Sequence, residues 1–237
     1  MSSFDVSILA FFNTFAHRSI AVDGFLRLIA DSNLWKGGVV MAVLWWGWFH
    51  RDGDTVRRRQ AILATLVGCF AALVLARTVA VALPFRPRPL HTSTLAFQLP
   101  YGISAKTLIG WSSFPSDHAA LFSGLATGIF CLSRGLGWAT LLYGLTVIDL
   151  PRIYLGLHYP TDIIGGTLIG MGLVALAQRP WIKSVISRPA LTWLQKWPGA
   201  FYAGFFLLSY EIVTLFDDVR HSALFAWEML GEILKRL

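Results

Sequence analysis

Long apolar runs, separated by short polar breaks, dominate the chain. The first runs over 34–50, "LWKGGVVMAVLWWGWFH", close to the lower limit of about 17 residues for crossing a bilayer's hydrocarbon core. The second, 60–83, is apolar except for Arg77 and stops at Pro84. Further runs cover 117–132, 138–150, 161–178 and 198–216. Between them lie "RDGDTVRRR", a long polar loop over 84–116 and the tight turn "SRGLG". Residues 6–31 mix apolar positions with Arg18, Asp23, Arg27 and Asp31, which predicts one or two amphipathic interfacial helices. The tail "SALFAWEMLGEILKRL" has the same character. The predicted fold class is all-α: a polytopic membrane protein of about six transmembrane helices, with interfacial helices at the N-terminus and in the tail. Residues 1–237 are expected to form a single domain whose motif-bearing core spans about 75–170.

Composition agrees with this pattern. Hydrophobic residues make up 55% and charged residues 14%, with a mean hydropathy of +0.59; a soluble domain carries about a quarter charged residues. The net charge of +7 would suggest nucleic acid in a soluble protein. Here many basic residues fall in short breaks between apolar runs, a topogenic pattern, so the bilayer and not nucleic acid is the expected partner. Cys69 and Cys131 lie inside apolar runs and are expected to be small buried hydrophobes, not a disulfide. The N-terminus lacks a basic stretch and carries Asp5 before "VSILAFF", unlike a signal peptide. Trp45, Trp46 and Trp48 suit an interfacial belt.

Arg51, Arg57, Arg58, Arg59, Arg134 and the segment from Arg179 to Lys196 fall on one side of the predicted spans, which the positive-inside rule makes cytoplasmic. "FRPRP", "FPSDH" and "PRIYLGLHYPTD" then converge on the other side. Together they offer Arg77, Arg86, Arg88 and Arg152 as cations, Ser116 as a hydroxyl, and His118, His158 and Asp162. Guanidinium groups suit phosphate oxygens. Ser116 suits a helix N-cap, and the helix start behind it is a second expected anion site. A hydrogen bond from His158 to Asp162, four residues on, would set the imidazole tautomer. His158 could then attack phosphorus while His118 protonates the departing oxygen.

These residues resemble the type 2 phosphatidic acid phosphatase superfamily of membrane lipid phosphatases, related to vanadium haloperoxidases. Its signatures read K-x6-R-P, P-S-G-H and S-R-x5-H-x3-D. This chain has Arg88-Pro89, "PSDH" at 115–118, and Arg152, His158 and Asp162 at the required spacing. The resemblance implies metal-independent hydrolysis of a lipid phosphate through a phosphohistidine, with no cofactor. It makes His158 the nucleophile, Asp162 its partner, His118 the general acid, and Arg88, Ser116 and Arg152 phosphate ligands. "FPSDHA" is most similar to bacterial undecaprenyl diphosphate phosphatases. The implied setting is the cytoplasmic membrane, multi-pass, with the site on the periplasmic or extracellular face.

The chain departs from the signatures in three places. The leading lysine would fall at Val81 or Val79, and Arg77, helped by Arg86, is the expected replacement. Asp117 stands where the family has glycine, and Pro151 where it has serine. Of the remaining features, Gly166 and Gly170 predict close helix packing, with homodimerisation as the alternative. Asp149 is expected to pair with Arg77 or Arg152, and Glu211 to reach the interface. His91 and Lys106, in the long loop, are expected to be solvated, with contact to a lipid headgroup as the alternative. Rival functions are a phosphatidylglycerophosphate or phosphatidate phosphatase, a lipid phosphotransferase, and a non-catalytic carrier or flippase for anionic lipid.

Overall fold

The computed structural model describes residues 2–51 and 53–236. The side chains at 223, 224, 228 and 232–236 fall outside that set, and so does the part of the amphipathic-tail expectation that rests on them. Among the described residues the secondary structure is helical throughout. The helices are α1 (Ser3–Asn13), α2 (Ile20–Asp31), α3 (Val39–Phe49), α4 (Thr55–Ala82), α5 (Asp117–Phe130), α6 (Arg134–Tyr143), α7 (Leu150–Tyr154), α8 (Pro160–Ala177), α9 (Pro180–Lys196), α10 (Pro198–Val213) and α11 (Asp217–Arg236). π-helical turns lead into α3 at Leu34–Gly38 and join α6 to α7 at Gly144–Asp149. Each expected span has a helix within it. Two helices, α4 and α8, are long and apolar enough to cross a membrane, or three spans if the bent pair α10 and α11 counts as one.

The centre is a packed trio of α4, α5 and α8. Small residues let α5 and α8 touch backbone to backbone. A Cβ on Gly166 would sit 2.1 Å from the Ser116 carbonyl oxygen, and one on Gly170 would sit 1.9 Å from that of Ala120. The glycine face is therefore used inside the chain, as the close-packing expectation had it. Leu66, Cys69, Leu121, Leu125 and Val174 fill the core around this contact. Cys69 is buried but Cys131 is exposed, and both are free. Trp48 corrects the interfacial-belt expectation: it is wholly buried and donates from Nε1 to the Tyr202 hydroxyl (3.3 Å).

Gln178, at the far end of α8, donates to the Ala61 carbonyl near the start of α4 (2.8 Å). The opposite ends of the trio hold the long loop and the α7–α8 turn. α1 and α2 are tied down there by buried carboxylates, Asp5 and Asp23. Asp23 accepts from the Tyr101 amide (2.8 Å) and the Tyr154 hydroxyl. At the end of α10, Leu215 and Phe216 take left-handed backbone angles (φ 60° and 56°), and α11 departs at 84° to α10.

Candidate active site

Pro160 opens α8, and the Asp162 carboxylate turns back to accept the Tyr159 amide (2.7 Å). This fixes the turn that carries His158. On the neighbouring helix, Ser116 caps α5 by accepting the Ala119 amide (3.3 Å), and the Ser116 amide donates to the Asp162 carbonyl (3.0 Å). The two helix starts are thereby stitched together, bringing His118 and His158 to one place.

A cavity of about 450 Å³ opens there. Its lining includes His118, His158, Arg77, Arg88, Arg152 and Asp117. The motif residues thus meet, although they come from four separated segments. Arg88 is almost buried and donates to the Leu157 carbonyl (2.6 Å), leaving its Nε buried with no partner. Its Nη1 lies 3.2 Å from Nε2 of His158. Since arginine can only donate, this contact makes Nε2 the acceptor, with its lone pair on the cavity side. Burial pushes the His158 pKa down, Arg88 adds to the effect, and the Asp162 carboxylate opposes it. Arg152 donates to the Ile148 carbonyl (2.9 Å) and forms no salt bridge among the described residues.

Several expectations need correction. Nδ1 of His158 lies 2.9 Å from the Ser113 carbonyl oxygen and 3.6 Å from the nearer oxygen of Asp162. The carbonyl therefore takes the hydrogen bond expected of Asp162, whose oxygens are held by Tyr159 and Arg86. Arg86 does not line the cavity: it donates to Asp162 (2.5 Å), Asp5 (2.8 Å) and Thr161 (2.9 Å). Ser116 does not line it either. Two first-turn amides of α5 are also occupied, His118 N by Asp117 Oδ1 (3.1 Å) and Ala119 N by Ser116. Two of the amides expected to meet an anion there are therefore already engaged.

Arg77 lines the cavity but is held by Asp117 (2.5 Å) and by the face of Trp111 (4.7 Å). Asp149 does not pair as expected: its Oδ1 is buried with no partner. Glu211 likewise holds Oε2 buried and unbonded. His91 and Lys106 lie in the loop and do not line the cavity, with His91 Nε2 3.1 Å from the Ala105 carbonyl oxygen.

Five ionisable lining side chains were not expected at the site from sequence: Asp31, Lys36, Asp217, Arg220 and His221. None belongs to a recognisable motif. The π turn around Lys36 was the available signal, because such turns recur at functional sites, but it cannot be read from sequence. Among the described residues no group of three or more His, Cys, Asp or Glu side chains is arranged to hold a metal ion.

A model of the PAP2 superfamily matches residues 61–184, just over half of the chain. The chain belongs to the PAP2 superfamily. Residues 61–184 contain Arg77, His118 and His158, all of α5 and α8 and most of α4. Among curated relatives, Undecaprenyl-diphosphatase BcrC of Bacillus subtilis (strain 168) is 24% identical over 156 residues, 66% of this chain and 73% of that protein. Putative undecaprenyl-diphosphatase YbjG of Escherichia coli (strain K12) is 39% identical over 69 residues, 29% of this chain and 35% of that protein. Lipid A 4'-phosphatase of Bacteroides thetaiotaomicron is 38% identical over 87 residues, 36% and 38% of the two chains. The chain thus aligns with little more than a third of the last two. No solved structure matches it.

Proposed function

We propose that this PAP2 enzyme, a lipid phosphatase, acts on a polyprenyl diphosphate, with undecaprenyl diphosphate the leading substrate, and releases the terminal phosphate through a phosphohistidine. The observation carrying this reading is that His118, His158, Arg88 and Arg152 line one cavity. Nε2 of His158 forms the N–P bond as the P–O bond to the lipid phosphate breaks. His118 gives its proton to the departing oxygen, then takes one from the water that attacks phosphorus. Inorganic phosphate leaves and Nε2 is restored. Arg88 and Arg152 neutralise the equatorial oxygens, the main demand of phosphoryl transfer on a protein. Arg88 Nη1 lies against the lone pair of His158; a phosphate would draw that donor onto its own oxygens and uncover the nucleophile.

The chain is read as one domain with six spans, its short helices completing the crossing together with the π turns. The site then faces the outer side of a bacterial cytoplasmic membrane, opposite the basic breaks. Because arginines supply the positive charge, a chelator is expected to leave the rate unchanged.

The test is phosphate release by purified protein from undecaprenyl diphosphate, phosphatidylglycerophosphate and phosphatidate, with wild type and H158A side by side. The diphosphate is expected to be preferred and H158A to be inactive. Turnover by folded H158A would remove the nucleophile assignment, and preference for another lipid would change the substrate.

A further inference from the structure

We infer that Asp23 of α2 is a positioning residue for phosphoryl transfer, holding α7 through the Tyr154 hydroxyl so that Arg152 and His158 reach one phosphate; the inference rests on the reading above, in which those two residues handle that phosphate. Asp23 is 0% exposed, and its hydrogen-bond partners are neutral. The Tyr154 hydroxyl donates to Oδ1, and the amides of His17 (3.0 Å) and Tyr101 (2.8 Å) donate to Oδ2. Asp5, the buried carboxylate of α1, has the Arg86 guanidinium for a partner. Burying a carboxylate without such a cation is costly. Here both oxygens accept, which an ionised carboxylate does and an amide side chain does not. Bonds to an ionised acceptor are also roughly twice as strong as neutral ones. His17 takes a left-handed backbone angle (φ 62°), uncommon outside glycine, where its amide meets the carboxylate.

The short helix α7 carries that anchor to the site. Arg152 and Tyr154 stand about 200° apart around it, so they face nearly opposite ways. Tyr154 shares a buried cluster with Ala16 and with Ala30 of α2, while Arg152 lines the catalytic cavity. The Arg152 carbonyl in turn accepts the amides of Leu157 (2.9 Å) and His158 (3.3 Å). One short bar therefore carries a phosphate ligand on its side and braces the nucleophile beyond its end. Asp23 grips the face behind them. Tyr154 lies within residues 61–184, which the superfamily model matches, and Asp23 lies outside them. A carboxylate beyond the matched region thus sets the reach of two groups inside it.

The experiment titrates orthovanadate, a tetrahedral oxyanion like phosphate, calorimetrically into the full chain in detergent. Wild type, R152A, Y154F, D23N and Y154F/D23N are compared, beside their unfolding temperatures. The stoichiometry reports how much protein is folded, and the dissociation constant reports the site. A tie that is only structural would lower the unfolding temperature and the stoichiometry and leave the constant alone. Y154F is expected to raise the constant about tenfold, the worth of one charged hydrogen bond. D23N, which keeps the shape and loses the charge, is expected to raise it about threefold or more. The double variant is expected to match Y154F, because the two residues act through one bond. An unchanged constant in Y154F would overturn the inference, and so would a double variant whose loss is the product of the two singles. Should D23N not fold, Y154F alone decides, since it keeps Asp23 and both amide donors. R152A is expected to raise the constant at least as much as Y154F. If R152A leaves it unchanged, the phosphate role of Arg152 fails, and the inference with it.

Discussion

Arg77 donates to the Asp117 carboxylate across 2.5 Å, and that carboxylate's other oxygen lies 3.3 Å from Nδ1 of His118. The pair explains how a carboxylate is tolerated in a cavity proposed to bind a phosphate. Arg77 cancels its charge, and its remaining lone pairs face the imidazole expected to hand over a proton. Removing Arg77 alone leaves an uncompensated carboxylate facing the substrate. R77A is expected to lose about 10- to 100-fold in kcat/KM. The double variant R77A/D117G, which restores the family glycine, is expected to recover part of that loss. A double-mutant cycle on kcat/KM checks this; strictly additive losses would show that the two residues act separately.

His118 is expected to matter in proportion to how badly the leaving group needs a proton. H118A should lose about 10²- to 10⁴-fold on a lipid diphosphate. The loss should shrink at least tenfold on p-nitrophenyl phosphate, whose phenolate leaves unprotonated. Rates on the two substrates, for wild type and variant, provide the comparison.

In the proposed mechanism only the neutral His158 ring carries the attacking lone pair. Burial, helped by Arg88, holds its pKa below the ordinary 6.5. The acid limb of kcat/KM is therefore expected below pH 6.5, and R88A is expected to move that limb upward. Stability follows the same sign. Between the lowered folded value and 6.5 the unfolded chain binds a proton here that the folded chain does not. This contribution is lost as pH falls from about 6.5, and the loss levels off below the folded value. A pH series of rates and of thermal unfolding reads both.

Arg86 is expected to be a stability residue. Its guanidinium serves two carboxylates, Asp5 and Asp162, that are 1% and 0% exposed. R86A leaves both charges buried without it, a cost of about 3 kcal/mol. The unfolding temperature in detergent should fall clearly. R86A/D5N should recover part of the fall, because the orphaned charge at Asp5 is gone. Unchanged unfolding of R86A would contradict this role.

The helices could be read from the sequence because each apolar run is closed by strong punctuation: Pro84, the Ser116 cap, Pro160 and Pro198. The two histidines could be read because each stands at a helix start, His118 in the first turn of α5 and His158 just before α8. Contacts that depend on how distant segments fold together were not legible. Arg86 and Arg88 differ by two residues in a proline-rich loop, yet Arg88 faces the cavity and Arg86 faces Asp5. No local pattern separates them. Ser113 offers His158 a backbone carbonyl, a partner every residue possesses and none advertises. Lys36 sits in an otherwise apolar run, and only the fold brings it to the cavity.

The glycine contact between α5 and α8 lies on the trio that carries both histidines. His118 rides on the first turn of α5, and His158 stands just before α8. The gap across which a phosphoryl group would pass is therefore gauged by backbone touching backbone well below the reacting atoms. One methyl group at Gly170, where it would sit 1.9 Å from the Ala120 carbonyl oxygen, would wedge the two helices apart. Its effect would be felt first in the chemistry overhead.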